Sequence, residues 1–589
     1  GKTTLVDRIL RQCNVEFAGD RVMDSGDLER ERGITILSKC TAVSHNDSLI
    51  NVIDTPGHAD FGAEVERVMA MVDGAVLVVD ANEGPMPQTK FVLAKAIARG
   101  FTPILVINKV DRPNATPDLA HSAVFDLLVS LDASDAQLDF PVLFASAREG
   151  WAVHDLDAAS PRDSLIPLLD TILEHVPPPA SPADRAKPFS MLVAMIERDP
   201  FLGRLVTGRV VTGAIAPNDA VNVLRGPSGG APGKGRVTKI MAPRGVSRVA
   251  MDGAEAGDIA LLAGIDANVG DTVAADGVTE ALVAPVVDPP TVAVRFSVND
   301  SPFKSKDGTV LTSKKLAEKL FLEAESNVSI RVEQSENRDS LEVHGRGELQ
   351  LSILIEKLRR EGYEFLVSPP RVLFKEDGKL EPFEEVIIEV DEEYAGAIID
   401  KISQRMGETQ DVSPLKGGRS KLKFLAPSRG LIGYRSIFMQ DTRGTGVMYH
   451  TFSEYRPHVG PIGQSRNGVL VSMAEGKASE YALGPLEARG QMFIAPGDDV
   501  YAGMIFGENN RSEDLDCNPA KAKEVTNIRV VFVEAKSRLS PPRPLTLEAA
   551  IGYIQPDELI EVTPKRIRLR KAILDPKLRQ AASKKRSKN

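Results

Sequence analysis

Apolar positions change their period several times along the chain. Residues 49–54, 104–107 and 142–144 are short apolar runs of the kind that predict buried strands. Between the first two, Val65, Val68, Met69 and Val72 fall at i, i+3, i+4 and i+7, which predicts a helix running to Val72. Strands alternating with helical stretches predict an α/β domain over 1–180. Pro177, Pro178, Pro179 and Ser181-Pro182 then break the pattern and read as a linker. From 187 to 286 the segments are short, β-rich and punctuated by Gly203, Gly208, Gly213, Gly245 and Gly257, a β-barrel pattern. Residues 289–376 read strand, helix, strand, strand, helix, strand. Val292, Val294 and Phe296 alternate, and Leu351, Leu354, Ile355 and Leu358 make a helical stripe. That is a split βαβ pattern. It restarts over 381–459, where Val386, Ile388 and Val390 alternate and Tyr394, Ile398, Ile399, Ile402 and Met406 line a helix. A further unit fills 460–589. The fold class is multidomain, α/β and β together.

Composition narrows the function classes. The 589 residues are 42% hydrophobic and 26% charged, as in ordinary globular proteins. No apolar run approaches the ~18 residues of a spanning helix, so no membrane role is expected. Cys13, Cys40 and Cys517 are far apart with no C-x-x-C pair, which argues against a disulfide scaffold or a zinc site and fits a reducing compartment. The net charge of −10 hides an asymmetry: residues 564–589 hold eleven Lys/Arg and one acid, giving +10, so the rest carries −20. A basic tail on an acidic body is compatible with nucleic-acid contact, and equally with an ordinary solvated terminus.

Candidate chemistry sits at the strand ends. Gly1-Lys2-Thr3-Thr4 followed by Leu5, Val6, Ile9 and Leu10 reads as the end of a phosphate loop entering a helix. Only the last three residues of G-x-x-x-x-G-K-[ST] are present. A chain starting there is expected to hold GTP more weakly, in a less stable domain, than one carrying the whole loop and the strand before it. The 49–54 strand delivers Asp54 where Mg²⁺ or its water shell would sit, and Gly57 in Thr55-Pro56-Gly57-His58 lets a backbone N–H approach a terminal phosphate. The 104–107 strand ends in Asn108-Lys109-Val110-Asp111. Asp111 can accept two hydrogen bonds from the amidine edge of guanine, while Asn108 and Lys109 buttress the loop and lie along the base. Ser146-Ala147 is a small-residue turn suited to a backbone contact with the guanine oxygen. Each piece alone is common; all four in order, each at a strand end, make a nucleotide site.

These four motifs resemble those of translational GTPases, and Arg32-Gly33-Ile34-Thr35-Ile36 resembles the first switch of that class. The resemblance implies that Lys2 neutralises phosphate oxygens, that Thr3 and Thr35 ligate Mg²⁺ with Asp54 holding it through water, and that His58 orients the attacking water. Ile34 matches one side of an apolar gate on that histidine. No arginine finger is evident, so slow intrinsic turnover with the ribosome as activator is implied. Gly345-Arg346-Gly347-Glu348-Leu349 resembles the third domain of elongation factor G, and Pro427-Ser428-Arg429-Gly430-Leu431-Ile432-Gly433 its fifth. The mobile domain that factor inserts between the two has no room here, since only 379–382 join them. Arg466-Asn467-Gly468-Val469-Leu470, 475–478, 511–515 and 521–529 complete a resemblance to the TypA/BipA family of ribosome-associated translational GTPases over essentially the whole chain.

That resemblance implies an N-terminally truncated P-loop GTPase domain, a β-barrel, two ferredoxin-like α+β domains and a family-specific C-terminal domain. It implies GTP/GDP and Mg²⁺ as cofactors and a monomer that binds the ribosome through rRNA, reaching toward A-site tRNA. A link to guanosine tetraphosphate, a role in stress and low-temperature adaptation and in large-subunit assembly, and a cytoplasmic or organellar ribosome-associated location follow from it too. Lys521, Lys523 and Arg529 cluster in one stretch suited to phosphate contacts or to plain solvation. Two alternatives remain at this point: a LepA-type elongation factor, which differs in its terminal domain, and a ribosome-binding scaffold that no longer hydrolyses GTP.

Overall fold

The computed structural model describes residues 1–13, 15, 26–157, 161–226, 233–285, 289–327, 329–335, 340–376, 378–415, 418–463, 466–521 and 539–586. They form two compact units, one of residues 1–289 with 324–329 and one of 290–323 with 330–589.

In the first unit, Ala75–Asp80, Pro103–Asn108 and Val142–Ser146 pair in parallel, and Trp151–Val153 closes the sheet antiparallel. Every residue of Pro103–Asn108 is buried, as a strand covered on both faces must be. Ile104 and Val106 face a core with Leu5, Ile9, Leu10, Leu143, Leu165 and Leu168. Leu105 and Ile107 face another with Val79, Val124, Leu128 and Phe140. A hairpin of Lys39–His45 and Ser48–Asp54 forms a separate two-stranded sheet. Its two-residue turn puts Asn46 and Asp47 at φ of 46° and 58°, the left-handed pair that matches strand twist. Its Val43 and Ile50 join the core of Leu5 and Ile104.

The helix expected to reach Val72 is shorter. Gly62–Val68 is helical, and Ala70 and Met71 then donate to the carbonyls three residues back. The apolar stripe outlasts the helix because its last members still pack inward, Met69 with Val65 and Ala96, and Val72 against both that cluster and the one of Val68, Met71 and Ala194.

An eight-stranded antiparallel sheet follows, ordered Gly233–Arg236, Ala220–Leu224, Thr272–Ala275, Ser190–Asp199, Gly203–Thr212, Ile259–Ala263, Lys239–Arg244 and Ser247–Met251. It wraps one barrel-like core that includes Met191, Val193, Val206, Val221, Ile240, Leu262 and Val273.

In the second unit, Leu380–Asp391 lies between Arg419–Pro427 and Val447–Pro457 in a four-stranded sheet edged by Glu408–Leu415. Val386, Ile388 and Val390 pack with Ile398 and Ile402 of helix Glu392–Gln404 and with Tyr434 and Phe438 of helix Tyr434–Asp441. Met406 does not line that helix. It lies beyond the last turn at φ 63° and is exposed, because the chain reverses there and Gly407 N–H bonds back to the Ile402 carbonyl.

The other sheet runs Arg331–Gln334, Ser340–Gly345, Val292–Val298, Phe365–Val367, Glu558–Val562, Ile567–Lys571, Met504–Asn509, Val469–Ser472 and Leu515–Cys517. The βαββαβ module of 292–367 and the C-terminal region therefore share one sheet, through antiparallel pairing of Phe365–Val367 with Glu558–Val562. Buried Glu561 accepts hydrogen bonds there from Ser301 (2.8 Å), Tyr501 (2.7 Å), Asn299 (3.3 Å) and Arg568 (3.3 Å). The segments 345–349 and 427–433 also meet: Gly433 N–H donates to Glu348 Oε1 at 3.0 Å. Gly433 also crosses Gly552 so closely that a Cβ on Gly552 would lie 2.4 Å from the Gly433 Cα.

The basic C-terminal run departs from a solvated tail. Arg568, Arg570 and Lys571 are buried in strand Ile567–Lys571, with Arg570 only 2% exposed. Arg570 pairs with Asp300 (2.5 Å), Lys571 with Asp514 (2.5 Å) and Glu558 (2.9 Å), and Arg579 of the following helix with Asp516 (2.5 Å). Alternation accounts for this: Arg568 and Arg570 share one strand face, opposite acids that need counter-charges to be buried. Among the described residues, no helix is long and apolar enough to cross a membrane.

Candidate functional site

Helix Lys2–Gln12 begins directly after Gly1, and buries Leu5, Val6, Ile9 and Leu10. That stripe fixes the helix against the sheet and leaves its N-terminal residues at the strand ends. Gln12 ties the helix to the last loop of the site, donating to Gly150 O at 2.7 Å and accepting from Leu165 N–H at 2.7 Å.

Two groups of expected residues come together. In the first, Thr3 Oγ1 donates to Asp54 Oδ2 at 2.9 Å and lies 3.1 Å from Thr35 Oγ1. Because the single Thr3 proton goes to the carboxylate, Thr35 is the donor of the second bond. Asp54 is buried at the end of strand Ser48–Asp54, and Thr35 is 9% exposed. Burial pushes the Lys2 ammonium below its ordinary value, and the Asp54 charge works against that shift. Two hydroxyls, a carboxylate and an ammonium thus converge from three parts of the chain.

The second group is centred on Asn108, buried at the end of Pro103–Asn108. Its Oδ1 accepts from the Lys109 N–H (2.8 Å) and from the Ala147 N–H (2.9 Å), joining two loops. Its Nδ2 faces Gly1, where a Cβ would lie 3.7 Å away. Lys109 adopts φ 66° and pairs its ammonium with Asp80. Burial alone would raise the Asp80 carboxyl, but hydrogen bonds from Lys109, Asn82 and Glu83 hold it below the usual carboxylate value. Ser146 is buried and its carbonyl accepts from Gly150 N–H at 2.8 Å, closing the turn. Asp111 is exposed.

His58 keeps to its own turn. The Asp60 N–H donates to His58 Nδ1 at 3.3 Å, which puts the ring proton of the neutral form on Nε2. The Asp60 carboxylate lies 3.4 Å from the same nitrogen, and Phe61 meets the ring edge-on at 6.4 Å between centroids. Ile34, Thr4 and Gly57 are half-buried. Lys521 is exposed, with its carbonyl accepting from Ser479 Oγ at 2.5 Å. Lys523 and Arg529 lie outside the described residues.

One residue at the site was not expected. Glu29, 4% exposed, binds the Ile36 N–H just after Thr35, the Gly26 N–H that precedes its own helix, and Lys39 as well. The sequence signal for it was faint. A Glu at the third position of a helix accepts from the residue capping that helix, but here the cap is Gly26, which has no side chain to return the bond.

Against known proteins, residues 1–178 match the family described as "Elongation factor Tu GTP binding domain" and 203–274 match "Elongation factor Tu domain 2". Residues 378–465 match "Elongation factor G C-terminus" and 467–576 match "TypA/BipA C-terminal domain". A relative from Synechocystis sp., "Large ribosomal subunit assembly factor BipA", is 48% identical over 578 residues, 97% of this chain and 96% of the relative. Relatives of the same description from Escherichia coli (strain K12) and Haemophilus influenzae are 47% and 46% identical over 99% of this chain, and 96% and 95% of their own lengths. A solved protein from Thermus thermophilus aligns with a TM-score of 0.53 at 16% identity, over 78% of this chain and 96% of its own, a likeness of fold alone. The C-terminal match separates the chain from a LepA-type factor.

Proposed function

The chain belongs to the TypA/BipA family, and on that premise we propose that it hydrolyses GTP to GDP and phosphate in a ribosome-stimulated reaction that serves assembly of the large subunit. The convergence of Thr3, Thr35 and Asp54 carries this reading. Three oxygens gathered from helix, loop and strand are the hard donors that suit Mg²⁺, which keeps several positions for water and phosphate. When bound, Mg²⁺ neutralises charge that develops on the phosphate oxygens.

The chain's own groups do the rest. Lys2, whose ammonium burial holds below its ordinary value, is favoured in its charged form beside an anion and binds phosphate oxygens. The Gly57 N–H faces the terminal phosphate. Asp111 accepts from the guanine edge, the stem of Lys109 lies along the base, and the backbone at Ser146 and Ala147 meets the guanine oxygen. Asn108 locks these loops to each other, so the base pocket and the phosphate end are set in one register. His58 turns from its Asp60 contact to orient the attacking water. The partner is the ribosome, with rRNA and A-site tRNA as its RNA contacts and Lys521, Lys523 and Arg529 as phosphate-binding groups. Neutralising those three should flatten the salt dependence of ribosome binding.

The test is single-turnover GTP hydrolysis with and without ribosomes, for wild type and His58→Ala. Ribosomes should accelerate the wild type, and His58→Ala should lose roughly 10²-fold or more of the accelerated rate while binding GTP normally. Absence of stimulation would sink the ribosome-dependent reading, and normal turnover in the variant would remove His58 from its role.

A further inference from the structure

Residues 33–38 connect helix Asp27–Arg32 to strand Lys39–His45 with no helix or strand of their own. Their backbone groups therefore need partners from side chains or solvent. The helix ends on Gly33 at φ 66°, which turns the chain so that Thr35 reaches Thr3. One carboxylate fixes the backbone just after Thr35. Glu29 Oε1 accepts from the N–H groups of Ile36 (2.9 Å) and Leu37 (3.3 Å). Oε2 accepts from Gly26 N–H (3.2 Å) and from the Lys39 ammonium (2.5 Å). An ionised carboxylate offers about four acceptor positions, and these four bonds engage both oxygens twice. The backbone that follows Thr35 is thus fixed through Glu29 to the start of the preceding helix, and Lys39 supplies the counter-charge a buried carboxylate requires.

We propose that Glu29 is the positioning residue that keeps the 33–37 loop closed over the nucleotide site, and that it thereby sets the preference for GTP over GDP. The proposal rests on the reading of Thr3, Thr35 and Asp54 as the cation and phosphate end of a GTP site. A nucleotide that engages the Thr35 hydroxyl must find this loop ordered. Where the loop is already held, the nucleotide is spared the entropy of ordering it. A nucleotide that does not engage Thr35 is indifferent to the loop. Glu29 touches neither nucleotide nor cation; it acts through Thr35.

The experiment measures equilibrium affinity of the full chain for a non-hydrolysable GTP analogue and for GDP, with amide exchange at residues 34–37 as a second readout. Glu29→Ala should weaken the analogue about tenfold or more, the scale of losing charge-assisted hydrogen bonds, and leave GDP within about twofold. Exchange at Ile36 and Leu37 should rise. Glu29→Gln keeps one carbonyl acceptor for those two amides but loses the charge toward Lys39, so its loss should be intermediate. Thr35→Ala should lower the GTP preference in wild type and add little in the Glu29→Ala background, since both act through one hydroxyl. Equal weakening of both nucleotides, or an unchanged ratio with raised exchange, overturns the positioning role. Wild-type protein that binds neither nucleotide overturns the GTP-site reading itself, and the role of Glu29 with it.

Discussion

The nucleotide region and the long sheet of the second unit both bury charge, and they balance it in opposite ways. Around Glu561 every charge has its complement within the chain: Ser301, Asn299, Tyr501 and Arg568 converge on one carboxylate, and Lys571 and Arg466 converge on Glu558. Around Thr3 a cation and a carboxylate are brought together with two hydroxyls. Burial pushes the Lys2 ammonium down, and its nearby acid, Asp54, is engaged by a hydroxyl. A cluster whose charges close on themselves is a joint; the Thr3 cluster instead gathers hydroxyls, a carboxylate and an ammonium from a helix start, a loop and a strand end. This contrast separates site from scaffold without reference to any relative.

Four measurements sharpen or break it. Glu561→Ala should have the largest effect, about 3–5 kcal/mol of stability, because buried Arg568 is left with Asp307 alone and Tyr501 and Ser301 lose their acceptor. Nucleotide affinity should not change; a linked loss of GTP binding would show that the joint is also part of the site. Gly552→Ala comes next, at about 1–3 kcal/mol from forcing a methyl against the Gly433 backbone, read as a lower melting temperature with GTP affinity intact. Asp111→Asn reverses the pattern. It should leave melting unaltered while shifting preference from guanine toward xanthine nucleotides, and an unshifted preference would relocate the base pocket.

The smallest effect is a pH dependence. Burial raises the Glu381 carboxyl, but Arg429, the Val459 N–H and His458 outweigh it and hold the group below its ordinary 4.5. A carboxyl lowered in the fold contributes stability above its unfolded pKa and loses it as pH falls through the folded value. The melting difference between wild type and Arg429→Leu should therefore be steady from pH 7 to 5 and shrink below about pH 4.5. A difference that grows on acidification would contradict the assignment.

The sequence marked the strand-end residues that converge around Thr3 and Asn108 and hardly marked the joint at all, for a physical reason. Asp54, Asn108 and Ser146 each end a strand, so an apolar run followed by a polar residue marks them locally. Glu561 and Ser301 are 260 residues apart, and neither neighbourhood signals the other. The basic run from Lys565 misled for the same reason. Charge counted along the chain looks like a solvated tail until Asp300, Asp514 and Glu558 fold against it. Glu29 lies between these cases: its helix position was readable, but its bonds to Ile36 and Leu37 depend on the turn at Gly33. Met406 fails as a helix residue because periodicity does not register where a chain reverses.

The pairing of Phe365–Val367 with Glu558–Val562 also sets a timetable. About 190 residues separate these strands, and chains grow at roughly 5–20 residues per second, so the first strand emerges roughly 10–40 s before its partner exists. During that interval its outer edge, with the apolar Phe365, Leu366 and Val367, is open to any other strand. Each newly made copy thus passes through a window of vulnerability that closes only when residues 558–562 have been synthesised. A protein proposed to serve ribosome assembly would itself depend on the pace of the ribosome that makes it.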